Sequence, residues 1–160
     1  MRLIIAAIGR LKDGPERALL EKYRSRLDPL AKRLGLAPVV WHEVAESRAA
    51  DVAKRREDEG AVLLKLVRDA DFIVALDERG RQLTSEAFAR TLAKARDGGT
   101  KTTGIVIGGP DGLGQAVHSA AHLQSSLGAI TLPHGLARIV LAEQLYRAAT
   151  ILSGHPYHRS

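Results

Sequence analysis

The sequence predicts an α/β domain, a mostly parallel sheet with helices on both faces. Continuous apolar runs recur at Leu3–Ile8 (LIIAAI), Phe72–Leu76 (FIVAL) and Thr103–Ile107 (TGIVI). They do not alternate with polar residues, as expected of strands covered on both sides. Longer segments of helical composition separate them, the order that builds parallel pairs. The 160 residues contain no repeat, low-complexity tract or linker, so a single domain over 1–160 is expected.

Each element has its own signals. The first strand stops at Gly9, and Gly14-Pro15-Glu16 opens a helix to about Leu34. Proline suits a first helical turn, and an acid there meets the positive end of the helix. Gly35 ends that helix, a second strand follows over Pro38–Val44, and Ser47 or Asp51 starts a charged helix to about Arg68. Its KRREDE run (54–59) reads as a solvated face of mixed-sign pairs. The third strand, Phe72–Leu76, ends in a turn at Asp77-Glu78-Arg79-Gly80, and Thr84 or Ser85 caps a helix through about Arg96. The fourth strand runs into IVIGGPDGLG (105–114), followed by a helix from about Gly114 to His122. LGAITL (127–132) reads as a fifth strand, and a last helix covers Gly135 to Leu152 beyond Pro133-His134.

Composition narrows the function. Apolar residues make up 45% and charged residues 26%, ordinary globular material. Without cysteine there is no disulfide, thiolate chemistry or Cys-held metal. The N-terminal apolar run of six residues is too short for a signal peptide or membrane span, so a cytoplasmic protein is expected. Residues 1–68 hold fifteen Lys/Arg against ten Asp/Glu, whereas 69–160 hold nine against eight. Such an excess invites RNA phosphates, and it equally describes a basic surface with no partner. Aromatics at 4% disfavour a base-stacking platform.

Gly109 and Gly114 have the spacing of a phosphate-binding loop, but Gln115-Ala116 replace the lysine and hydroxyl it needs. A dinucleotide fingerprint fails as well, because the loop follows the fourth strand. Three strand ends carry unusual chemistry: Leu76 to Gly80, Gly108 to Gly112, and Leu127 to His134. Ligands gather beyond the carboxyl ends of such strands. Glycines and backbone donors without a lysine suit an adenosine-type ligand lacking a phosphate chain. From Thr102 to Leu152 the only Asp, Glu, Lys or Arg residues are Asp111, Arg138, Glu143 and Arg147. The last helix, apolar on most sides, is expected at the interface of a two-fold dimer. Arg138 points into its apolar surface, and both an interfacial ion pair and a substrate role stay open. Five of six histidines lie at 118–158 with no metal-site spacing, and His118 and His122 read as solvent-side or capping residues.

The segments LGAITLPHGLARIVLAEQLYRA (127–148), HPYHR (155–159) and VIGGPDGL (106–113) resemble the ribosomal RNA large subunit methyltransferase H family of the SPOUT superfamily. LIIAAIGRLKDG (3–14) and VALDERG (74–80) are in register with it, so the likeness runs the length of the chain. The resemblance implies a C-terminal deep trefoil knot, which ordinary topology rules would exclude. It also implies a homodimer with S-adenosylmethionine bound in the knot. The implied cofactor contacts are Leu76, Gly108, Leu127, Gly128, Ala129, Ile130, Thr131 and Leu132. On this reading a side chain at Gly108 would collide with the ligand.

The implied reaction is methylation of N3 of a pseudouridine in the intersubunit hairpin of large-subunit (23S) rRNA, on assembled ribosomes and without a metal. The tail can reach the partner's cofactor in a dimer. His155 or His158 would take the proton, Tyr157 and Arg159 would orient base and phosphate, and Arg138 is a further catalytic candidate. Arg24, Arg26, Lys54 and Arg55 would meet the RNA. A knotted methyltransferase acting on tRNA and a non-catalytic ribosome-binding factor are the alternatives.

Overall fold

A computed structural model describes residues 1–157. The elements run β1 (Arg2–Ile8), α1 (Pro15–Arg33), β2 (Val39–Val44), α2 (Val52–Leu66), β3 (Phe72–Gln82), α3 (Ser85–Asp97), β4 (Thr102–Ile107), α4 (Gln115–Ala120), β5 (Leu123–Ser126) and α5 (His134–Ser153). The sheet has the order β2-β1-β4-β3-β5, and all four pairings are parallel. No helix of the described residues is long and apolar enough to cross a membrane.

The continuous apolar runs are explained by the pleat, which points successive side chains to opposite faces. Leu3, Ile5, Val74, Ile105 and Ile107 pack in one core with Leu27 of α1, Phe88 of α3 and Leu145 of α5. Ile4, Ala6, Ile8, Ala75 and Val106 pack in a second core with Leu63 of α2 and Val117 of α4. Helix ends follow the capping rules. Asp51, rather than Ser47, caps α2 by accepting from the Lys54 amide at 2.9 Å. Thr84 caps α3 by accepting from the Ala87 amide at 3.1 Å. Gly154 ends α5 in the left-handed region at φ 68°, which favours glycine.

The structure corrects the sequence reading in three places. The fifth strand is Leu123–Ser126, and LGAITL leaves the sheet, with Ile130 75% exposed. Its apolar character does not serve the core. Asp77–Gly80 is not a turn that ends β3 but a bulge within it, since Leu76 and Arg81 both pair with Ser125. A Cβ on Gly80 would lie 2.6 Å from the Ser125 backbone, so a larger residue would push β3 and β5 apart. Lastly, the apolar surface of α5 is largely used within the chain. Ile139, Leu141, Ala142, Leu145 and Ala149 are buried in cores shared with α1, α3 and the sheet.

Candidate functional site

All strands of a parallel sheet end at one edge, so the loops that follow them share that edge. After β5 the chain crosses this edge toward β1. There the His134 ring lies over Gly9, where a Cβ would be 2.9 Å from it. The crossing segment, Leu76 and the loop 108–114 enclose a cleft of about 1430 Å³. Of the eight expected cofactor contacts all but Ala129 line it. No lysine lines it, while Ile107, Leu113 and Ile130 supply apolar wall.

The glycine loop is held by its own backbone and by α2. The Gly112 amide donates to the Gly109 carbonyl at 2.9 Å. A Cβ on Gly108 would lie 2.9 Å from the Gly112 carbonyl carbon, so the first collision there is with the loop itself. Arg55 grips the Asp111 carboxylate through Nε at 2.6 Å and Nη2 at 3.3 Å, and Arg56 Nε donates to the Asp111 carbonyl at 2.6 Å. The hydrogen bond from Arg55 holds the Asp111 carboxyl below its usual range.

The KRREDE run is therefore only partly a solvated face. Lys54 pairs with Glu57 and Asp58, but Glu59 is buried and accepts from the Ser47 amide at 2.9 Å. Arg24 pairs with Glu21 and lies over the Trp41 ring. Among the described residues, Arg26 is the one expected RNA contact without a carboxylate partner.

Neither histidine expected on the fourth helix is a simple surface residue, and only His118 is helical, since α4 ends at Ala120. His122 Nδ1 accepts from the Ile73 amide at 3.0 Å, tying the start of β5 to β3. His118 lines the cleft with its Nε2 3.6 Å from Asp77 Oδ2, and its buried Nδ1 has no partner among the described residues.

Arg138 lies inside the chain, with 0% of its side chain exposed. Nη1 bonds Glu43 Oε1 at 2.5 Å, and Nη2 donates to the carbonyls of Ile8 and Gly9 at 3.0 and 3.1 Å. Arg17 Nη2 holds the other Glu43 oxygen at 2.5 Å. Burial alone would raise the Glu43 pKa, but Arg17 and Arg138 outweigh it and hold the carboxyl low. Burial pushes Arg138 down from the usual guanidinium value while Glu43 opposes it. Of the two settings left open for Arg138, the ion pair is present, but it is made within the chain, as an internal clamp joining α5, β2 and the end of β1.

The described part of the tail, His155 to Tyr157, lies apart from the cleft. The Tyr157 ring packs 4.6 Å from Tyr146, the Arg147 guanidinium sits 5.1 Å from its centre, and its hydroxyl donates to Glu143 Oε1 at 3.2 Å. Arg147 pairs with the same Glu143 oxygen at 2.7 Å. Burial first, then Tyr23 and Glu143, push the Tyr157 phenol up to about 12. His155 Nδ1 accepts from the Tyr157 amide at 3.2 Å, which leaves the hydrogen of the neutral ring on Nε2. His158 and Arg159 lie outside the described residues. Glu143 and Arg147 were not among the expected site residues. Their i,i+4 spacing on a helix otherwise poor in charge was the available signal.

A family model described as "Predicted SPOUT methyltransferase" matches residues 1–158. The chain is 51% identical over 160 residues to "Ribosomal RNA large subunit methyltransferase H" of Rhodopseudomonas palustris strain BisA53, covering 100% of both. A protein of the same name from Bradyrhizobium sp. strain ORS 278 is 48% identical, with 100% of this chain and 99% of the relative covered. Among solved structures, a probable methylase family protein of Haemophilus influenzae Rd KW20 superposes with TM-score 0.53 at 13% identity, covering 99% of this chain and 70% of that one. That likeness concerns the fold alone. The full-length model match, together with relatives about half identical from end to end, places this chain in the SPOUT methyltransferase family.

Proposed function

We propose that the chain methylates N3 of a pseudouridine in the intersubunit hairpin of large-subunit rRNA, on assembled ribosomes in the cytoplasm. It does so as a homodimer with S-adenosylmethionine in the cleft. The observation that carries this reading is the separation of cleft and tail. Seven expected cofactor contacts line one cavity, while His155 and Tyr157 pack on another face of α5. A second copy whose tail enters the cleft would complete the site. The curated relatives' name supports the rRNA substrate. The crossing of 127–133 from β5 to β1 supports a knotted C-terminal segment.

The cleft suits this cofactor. It is large enough, it presents glycine backbone and apolar wall, and of the two arginines in its lining Arg56 is turned to the Asp111 carbonyl and Arg79 is exposed. The bound cofactor would supply an electrophilic methyl group on a sulfonium, so the chain's own residues must position the base and remove its N3 proton. His158 or His155 takes that proton. The contact at His155 Nδ1 favours His158. Tyr157 and Arg159 orient base and phosphate. Arg138 acts at one remove, as a positioning residue that holds α5 against the cleft edge.

An N3 methyl blocks the pairing edge of the base and halts reverse transcription. The expected result is a stop in the intersubunit hairpin of rRNA from cells carrying the protein, lost on deletion and restored by the wild-type chain. A pattern unchanged by deletion would refute the assignment.

A further inference from the structure

Although Arg79 lines the same cleft, Asp77 is, among the described residues, the one mostly buried cleft carboxylate that forms no ion pair with an arginine or lysine. Its side chain is 14% exposed. Asp111 is gripped by Arg55, and Glu57 is 72% exposed and paired with Lys54. Asp77 faces the cleft because the pleat turns Leu76 toward the core of α3 and α5 and the next residue toward α4. Its Oδ1 accepts from the Arg79 amide at 2.9 Å, which fixes the carboxylate in place. Its Oδ2 meets only His118 Nε2 at 3.6 Å, beyond hydrogen-bond length. A covered carboxylate with no arginine or lysine to pair with favours a positively charged ligand at its free oxygen.

We propose that Asp77 is the counter-ion of the cofactor's sulfonium. It makes the cleft prefer charged S-adenosylmethionine over the neutral thioether left after methyl transfer. The inference rests on the reading that the cleft holds S-adenosylmethionine. Its consequence is turnover, because the charge that draws the cofactor in disappears with the methyl group and the product leaves more readily.

The test is calorimetric binding of three ligands at pH 7 to the intact protein. These are S-adenosylmethionine, sinefungin (an amine at the methyl-bearing position, hence also cationic) and S-adenosylhomocysteine. Asp77→Asn keeps an oxygen to accept from Arg79 and removes only the charge. It should weaken the two cationic ligands about tenfold, equivalent to about 1.4 kcal/mol, and the thioether less than about twofold. Asp77→Glu should keep most of the wild-type preference. Equal weakening of all three ligands by Asp77→Asn, or an unchanged ratio, would overturn the assignment. A wild-type protein that binds none of them would refute the cofactor reading itself.

Discussion

Replacing Arg138 with methionine separates a clamp from a catalytic group. The methionine fills similar space but removes one bond to Glu43 and two to the carbonyls of Ile8 and Gly9. Removing one partner of a buried pair costs about 3–5 kcal/mol. Glu43 is 21% exposed and keeps Arg17, so the low end, about 3 kcal/mol, applies here. At about 2–4 °C per kcal/mol for a chain of this length, Tm should fall by about 6–12 °C. Arg138→Lys keeps the charge but not the fork, and should lose roughly half as much. Adding Glu43→Gln to Arg138→Met should cost less than the sum of the two, because no carboxylate is then left half paired. Denaturant unfolding followed by circular dichroism, at one fixed protein concentration, reads all of these. An Arg138→Met protein within about 0.5 kcal/mol of wild type that nevertheless lost methyl transfer would refute the clamp. It would place the guanidinium in the chemistry.

Acidification should unfold the wild type through the same network. Glu43 has a lower pKa folded than unfolded, so its stabilisation is fully present above about pH 4.3 and is lost as pH falls through the folded value. Denaturation midpoints between about pH 3 and 6 should therefore vary less steeply in Glu43→Gln, and an equal slope would contradict this. Gly108→Ala should weaken S-adenosylmethionine binding by on the order of tenfold or more, because the loop must shift to clear the Gly112 carbonyl. Calorimetric affinity equal to wild type would show that the loop has room. Tyr157→Phe removes a hydroxyl that stays protonated at neutrality. It should leave cofactor affinity intact and lower turnover by roughly tenfold to a hundredfold. Unchanged turnover in single-turnover kinetics would remove the hydroxyl from the reaction.

The central strands were legible because burial on both faces demands unbroken apolar runs, and β1, β3 and β4 have them. Helix starts at Pro15, Asp51 and Thr84 were legible because capping is local. The fifth strand was not. LQSS is mostly polar and short, and it pairs with Val74–Leu76 before the Asp77–Gly80 bulge and with Arg81 and Gln82 after it, a register no local pattern announces. LGAITL misled for the opposite reason, since its apolar residues face a cleft rather than a core. Arg138 could be seen to need a partner, but Glu43 is 95 residues away and only the assembled sheet joins them. The same holds for Arg55 with Asp111 and for His118 with Asp77. Composition shows which charges exist, and tertiary contact decides which remain free for a ligand.

The central claim is tested most directly by methyl transfer from labelled S-adenosylmethionine to assembled ribosomes, free large subunits and bulk tRNA, run side by side. The account predicts label in large-subunit rRNA with assembled ribosomes and little with the other two. Label in tRNA would contradict the substrate, and no transfer by a protein that still binds the cofactor would point to a non-catalytic ribosome-binding factor.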